Sequence, residues 1–517
     1  MSKNIKWDFT AKCNLKCIHC IVGNNHIEKG LKDISIGERK TIVDNLASGD
    51  VTGITFLGGE PLMTNDDIFS VSRYAASKGI STTLVTNGTL LDQTRIDKVL
   101  YSGIKYVTVS LDGASSNTHD LIRGDNTFEK TVYNLNKLIS NIKACGINIK
   151  IKVNTVLNRI NYREIEQMID LCIKMRVNEL SFLELNSGGR AAEHKTDLIL
   201  TASEIIDAAV CIAKKYDSIS KSHPLIITQQ IAYPLVRDYI RHEYGIDMPQ
   251  SNITTICCFA SICSGYVTPD GNLYPCDRII HENYDSIRGE KVETMSLLEH
   301  PFYDIWNSDY FVKMFELVVD DETYANYIPC NSCKYMETRE CNPCPLYSSR
   351  YNVSIDTCRI AKNALGDSQP AKLRNKEFDK HLPIFRSFEV RNDSSEASAS
   401  MRNVGAEFEH MVPSKMPGIR SFVKDGATII FNPYTTEYCS LDFSGKFIWD
   451  LITGENSIKY IASQMDEVLC EVLNRLGIRD NVVESCDEVR SRTFSYFKDL
   501  SDAGFIRFTG GRGEKIG

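Results

Sequence analysis

The sequence predicts an α/β fold: a partial (β/α)6 barrel, then a cysteine-rich domain, then a small winged-helix-like α+β domain. Three observations carry this expectation. Over residues 1 to about 195, six short runs rich in Ile, Val, Thr or aromatics alternate with amphipathic stretches. Nine of the 18 cysteines crowd between Cys257 and Cys358. A polar, non-periodic stretch at 391–401 (RNDSSEASASM) precedes a last segment of β-like runs and helical stripes. At 517 residues, about three domains are expected.

Taken in order, the strand candidates are 6–10, 53–57, 81–86, 106–110, 148–156 and 179–184. Between them lie amphipathic stretches such as 36–48, 66–78 and 128–145. In the last, Leu135, Leu138, Ile139 and Ile142 recur at the helical period. Strands alternating with helices imply a parallel sheet with right-handed crossovers, in an open sheet or a barrel. Six units are too few for an eight-fold barrel. The first domain is assigned to 1–235, with 196–256 as a mainly helical bridge. Residues 250–365 form the cysteine-rich domain, where metal ligation is expected to replace an apolar core. Residues 366–415 read as a linker.

The last domain is assigned to 416–517. It has β-like runs at 419–424, 427–432, 436–441 and 505–509, and helical stretches at 443–452, 458–465 and 485–503. Phe443, Phe447, Ile448, Leu451 and Ile452 make one apolar stripe, and Ile458, Ile461 and Met465 another.

A net charge of −8 provides no global basic field to recruit nucleic acid or anionic lipid. No run approaches the length of an apolar membrane helix. Residues 1–7 lack the apolar core of a secretory signal, so a cytoplasmic location is expected. Disulfide scaffolds are short and secreted, whereas clustered thiols in a reducing compartment bind metal or do redox chemistry.

Cys13, Cys17 and Cys20 stand in CNLKCIHC, just past the first strand candidate. Three thiolates leave one iron of a four-iron cluster without a protein ligand. A zinc knuckle completed by His19 or His26 is the alternative on spacing alone. Gly58-Gly59-Glu60-Pro61 follows the second strand candidate, and its glycines allow close backbone approach. Both motifs sit where parallel strands end, the usual place for ligands.

With these two motifs, residues 1 to about 195 resemble the radical S-adenosylmethionine (SAM) enzymes. The resemblance implies that Cys13, Cys17 and Cys20 hold a [4Fe–4S] cluster that binds SAM. It implies that Gly58, Gly59, Glu60 and Pro61 contact the methionine end, and places His19 near adenine. Ser110 in VSLDG and Arg123 in HDLIRG fall where relatives contact SAM; Arg123 would pair with the carboxylate. Leu183 would reach adenine through its backbone.

The later series resembles the SPASM extension of peptide- and protein-modifying radical SAM enzymes. Its middle run here is C-x2-C-x7-C-x2-C, and Cys263 lies closer to Gly271 than the usual pattern has it. The resemblance implies two auxiliary [4Fe–4S] clusters. One would use Cys257, Cys263, Cys276 and Cys344; the other Cys330, Cys333, Cys341 and Cys358. Cys258 is spare or replaces Cys257, and two zinc ribbons are the alternative. Asp277, next to Cys276, occupies the place of a candidate catalytic base. Cys145, Cys172, Cys211, Cys439, Cys470 and Cys486 read as small buried hydrophobes.

Residues 416–517 resemble the recognition element of ribosomal-peptide biosynthesis, which implies that a leader peptide adds a strand to its sheet. The expected function is therefore that of a radical SAM peptide maturase. It would take electrons from a flavodoxin- or ferredoxin-type donor and cleave SAM reductively. It would then abstract hydrogen from a precursor peptide, installing a thioether, a side-chain crosslink or a backbone change. A formylglycine-type sulfatase-maturing enzyme and an iron–sulfur regulator with a winged-helix output are the alternatives.

Overall fold

The computed structural model describes residues 3–366 apart from 24, 187, 220–222, 250–255, 320, 325–326, 338–340 and 347–352. Beyond these it describes 412–416, 419–424, 427–432, 437–441, 448–461, 464, 497, 500–501 and 506–509. The chain divides into two compact units, Ser2–Asn375 and Lys376–Gly517.

Seven parallel strands run through the first part of the larger unit: β1 (Lys3–Thr10), β2 (Val51–Gly58), β3 (Ser81–Thr86), β4 (Tyr106–Ser110), β5 (Lys150–Val156), β6 (Glu179–Leu183) and β7 (Ile226–Gln229). The six expected strands all form, and most of their bounds shift by a few residues. The described part of 196–256 is mainly helical, as expected, with helices Ala202–Ser218 and Pro234–Tyr244; β7 between them is an added strand. Its four residues (IITQ) are too short to show a period. The cysteine-rich segment adds β8 (Ile256–Cys257), β9 (Ser264–Val267) and β10 (Leu273–Tyr274). β9 pairs parallel to β1 and antiparallel to β10. The sheet therefore has nine strands, ordered β10-β9-β1-β2-β3-β4-β5-β6-β7, where the sequence implied six.

Alternation along β1 sorts its side chains onto two faces. Ile5, Trp7 and Phe9 are fully buried on one. The Phe9 ring meets Phe56 edge-on at 5.2 Å, and the Arg39 guanidinium lies 4.2 Å from its centroid. Arg39 belongs to helix Ile36–Ser48, so this face packs on the helix layer. That helix starts in a capping box: Glu38 N–H donates to Ser35 Oγ, and Ser35 N–H to Glu38 Oε2. Lys6, Asp8 and Thr10 occupy the opposite, inner face of the sheet.

The cysteine-rich segment does have an apolar core, against expectation. Phe302, Ile305, Trp306, Tyr310 and Phe311 are buried to within 1%. They lie on helices Phe302–Trp306 and Asp309–Val319, and Phe302 stacks on Trp306 at 5.1 Å. A Cβ at Gly49 would lie 2.3 Å from the Phe302 ring, so glycine lets this core dock beneath helix Ile36–Ser48. No described helix is long and apolar enough to cross a membrane.

In the smaller unit, Arg420–Lys424, Ala427–Asn432 and Glu437–Leu441 form an antiparallel three-stranded sheet. Ile430, Ile448, Trp449, Ile452, Ile458, Ile461, Phe497, Leu500 and Ile506 pack as one core. The final strand, Ile506–Thr509, pairs with Val412–Lys415. The linker expectation of 366–415 is thus too long by that strand. The rest of that segment, the helical stretch around 485–496 and the side chains of Phe443, Phe447 and Met465 lie outside the described residues.

Candidate active site

The sulfurs of Cys13, Cys17 and Cys20 emerge from the loop after β1, and each acts electrostatically on another of the three. Each also has a donor: Leu15 N–H to Cys13 Sγ at 3.4 Å, Gly23 N–H to Cys20 Sγ at 3.3 Å, and Arg123 Nη1 4.0 Å from Cys17 Sγ. Cys13 is exposed and Cys17 buried. Burial pushes the Cys17 thiol up to about 12. A buried thiol that acidifies poorly alone, beside a guanidinium, suits a thiolate bound to a cation.

The loop is held from three sides. Gly59 N–H donates to Thr10 O and Glu60 N–H to Lys12 O, at 2.9 and 2.7 Å. A Cβ at Gly59 would sit 1.9 Å from Lys12 O, and Gly58 has φ of +112°, so both positions require glycine. The Glu60 carboxylate is buried. It accepts from Leu62 N–H, Thr86 Oγ1 and Asn87 N–H. Its side chain therefore ties β2 to β3 and fixes the turn. Pro61 opens a short 3-10 turn capped by Glu60. Asn87 Nδ2 continues the tie to Asn14 Oδ1 in the cysteine loop, at 3.0 Å.

From the far side, Arg190 N–H donates to Cys20 O and Arg190 Nε to Cys17 O, both at 3.0 Å. Gly189 permits this approach, since a Cβ there would lie 2.1 Å from Ile21 O. In the sequence Gly189 and Arg190 carry no signal beyond the GGR after β6.

Asp112, two residues past Ser110 at the end of β4, was not singled out in the sequence either. It is fully buried and binds His19 Nε2 at 3.0 Å and Arg123 Nε at 2.5 Å, and accepts from Val156 N–H at 2.7 Å. Burial opposes its charge, but Arg123 and His19 outweigh burial and hold the carboxyl well below the usual carboxylate range. Arg123 thus spends its Nε on Asp112, and His19 spends Nε2. Ser110 is half-buried at the strand end. The Leu183 carbonyl accepts Leu157 N–H at 2.9 Å.

The later cysteines separate into two neighbourhoods. Cys330, Cys333, Cys341 and Cys358 pack together with Tyr233, Tyr324 and Met336. Burial, then the Cys333 charge, pushes Cys330 up to about 12. Cys276 feels Cys344 and Cys258. Cys341–Asn342 pairs parallel with β8, bringing the segments of Cys257 and Cys341 together; the Cys257 side chain lies outside the described residues. Cys263 is pushed up to about 11 by burial, and its carbonyl accepts Asn4 N–H beside β1. Cys172 is fully buried, as expected; Cys145 is exposed, which is not. The side chains of Cys439, Cys470 and Cys486 lie outside the described residues.

Asp277 accepts from Lys6 Nζ at 3.1 Å and from the Cys276 thiol at 3.2 Å. Burial opposes its charge, but Lys6 and His281 outweigh burial and keep it anionic.

A parallel sheet, a cysteine triad beyond its first strand and a glycine–glutamate turn beyond its second are the arrangement of a radical SAM domain. The comparisons with known proteins agree. Residues 7–172 match the radical SAM superfamily and residues 257–334 an iron–sulfur cluster-binding domain, SPASM. The chain thus carries domains that bind SAM and [4Fe–4S] clusters.

It is similar to the AdoMet-dependent heme synthase of Methanosarcina barkeri, at 26% identity over 64% of this chain and 88% of that one. It is also similar to the mycofactocin maturase MftC of Mycolicibacterium smegmatis, at 24% identity over 54% of this chain and 65% of that one. In fold it resembles SuiB of Streptococcus suis, with a TM-score of 0.51 and 15% identity over 68% of this chain and 76% of that one; SuiB has also been solved bound to its precursor peptide SuiA.

Proposed function

We propose that this enzyme is a peptide maturase that modifies a ribosomally made precursor in the cytoplasm, drawing electrons from a flavodoxin- or ferredoxin-type protein. The observation that carries the reading is the smaller unit. Among the described residues its three-stranded antiparallel sheet has two edge strands, Arg420–Lys424 and Glu437–Leu441, suited to accept a leader segment by main-chain pairing. The similarity to MftC and the fold of SuiB support the same class of substrate.

Cys13, Cys17 and Cys20 would hold the SAM-binding cluster, with Cys13 on the exposed side. Cluster and SAM together supply reductive cleavage and hydrogen-atom abstraction. The chain's own part is positioning. Glu60 fixes the turn whose backbone meets the methionine end. Asp112 ties His19, within the cysteine loop, to Arg123, so both are held in fixed orientations. Ser110 and the backbone of Leu183 line the strand ends beside them. Cys330, Cys333, Cys341 and Cys358 would hold one auxiliary cluster. Cys276 and Cys344, with Cys263 and either Cys257 or Cys258, would hold the other; the proximity of Cys258 to Cys276 favours Cys258. Asp277, anionic beside Cys276, takes the proton released as the substrate is oxidised.

The test is anaerobic turnover with dithionite, SAM and candidate leader-bearing peptides drawn from short reading frames near the gene. We expect 5′-deoxyadenosine and a mass change in the peptide. Equal turnover of a peptide lacking its leader would remove the recognition role of the smaller unit. The match to the heme synthase over most of its length favours a second reading, SAM-dependent synthesis of haem. Turnover of a haem precursor and not the peptide would select it.

A further inference from the structure

Asp8, His26 and His281 come from three distant segments and meet behind the sheet's inner face. Asp8 lies on β1, His26 six residues past Cys20, and His281 at the end of helix Asp277–His281. One ligand atom from each lies within 4.8 Å of the others, and all three side chains are buried. His26 Nε2 is 2.5 Å from Asp8 Oδ2, and His281 Nε2 is 3.8 Å from the same oxygen. The Tyr266 hydroxyl, on β9, donates to Asp8 Oδ2 and lies 3.1 Å from His281 Nε2.

A hydrogen-bonded cluster alone does not account for all of these atoms. Asp8 Oδ1, the second oxygen of the same carboxylate, is buried with no hydrogen-bond partner among the described residues. Leaving a buried carboxylate oxygen unpartnered costs about 1–3 kcal/mol. A cation bound by both oxygens of the carboxylate would satisfy it. Two imidazoles and a carboxylate are a donor set for a divalent first-row metal such as zinc or ferrous iron. With metal–ligand bonds of about 2.1 Å, donors on one ion lie at most about 4.2 Å apart, so small side-chain adjustments suffice.

We propose that Asp8, His26 and His281 form a mononuclear divalent metal site, with Tyr266 as the adjoining hydroxyl, separate from every cysteine. It pins the loop following the first cysteine triad to the helix following Cys276. The inference is independent of which substrate the enzyme modifies.

The test uses the full-length protein, loaded anaerobically with its clusters, treated with chelator, desalted, incubated with zinc chloride and desalted again. We expect about one zinc retained per chain at unchanged iron content, and at least about a tenfold loss in Asp8→Asn and His26→Gln. No zinc retained by the wild type, or equal retention in both variants, overturns the site. Should either variant lose its iron, X-ray absorption at the zinc edge of the wild type decides. Imidazole and oxygen neighbours support the site, and sulfur neighbours overturn it.

Discussion

The two cysteine regions gather their thiols in opposite ways. Cys13, Cys17 and Cys20 lie within eight residues on one loop. The framework holding that loop is ordinary sheet polarity: Gly59 and Glu60 donate to Thr10 and Lys12, and Arg190 to Cys17 and Cys20. Cys330, Cys333, Cys341 and Cys358 are drawn together within an apolar and aromatic cluster. Cys276 meets Cys344 across 68 positions (344 − 276). A local loop can be preorganised before its cofactor arrives. A dispersed set depends on chain closure, and a bound cluster then contributes to folding as well as chemistry.

The largest expected effect separates the two regions directly. Cys17→Ala should abolish SAM cleavage, read as 5′-deoxyadenosine, with auxiliary iron retained. Cys358→Ala should leave SAM cleavage measurable while peptide product is lost and thermal stability falls. Equal loss of SAM cleavage in both would erase the distinction.

Asp112→Asn comes next. It removes the charge shared by His19 and Arg123 and leaves a buried guanidinium unpaired, a change worth about 3–5 kcal/mol. Thermal unfolding under anaerobic conditions measures it. An unchanged melting temperature would mean the first region is not preorganised by this carboxylate.

A smaller effect follows pH. Burial and then Arg123 lower the His119 imidazole from 6.5 to about 4. The unfolded chain therefore takes up this proton first. Stability is full above about pH 6.5 and falls as pH drops toward 4, by on the order of 1–3 kcal/mol. His119→Gln should flatten the melting temperature between pH 7.5 and 5.5, a window wide enough to show the slope. An identical slope in the variant would assign the effect elsewhere.

The smallest effect is at the second region. Lys6 is half-exposed where it pairs with Asp277, so Lys6→Met should change stability by less than about 1 kcal/mol. A larger loss would show the pair to be structural.

Most of the larger unit's strands were legible because alternation and helical period are local signals. β7, β9 and β10 were not: runs of two to four residues, β7 between helices and the other two in an irregular, cysteine-rich context, carry no period. The triad and the glycine turn were legible as compact motifs. Asp112, Gly189 and Arg190 were not, because an Asp after a strand or a GGR in a loop is common chemistry until its partners are known. The apolar core at Phe302–Phe311 was overlooked because the cysteines around it suggested metal in its place.

The sequence by itself determined the class of chemistry here, since a cofactor's ligands must be particular residue types at short spacing. It also determined that the first six strands form a parallel sheet. The tertiary structure decided their spatial order, which thiols neighbour one another, that the Glu60 side chain ties its turn to β3, and that Asp8, His26 and His281 share one buried place. Those outcomes depend on which distant segments pack together, and long-range packing leaves no periodic trace along the chain.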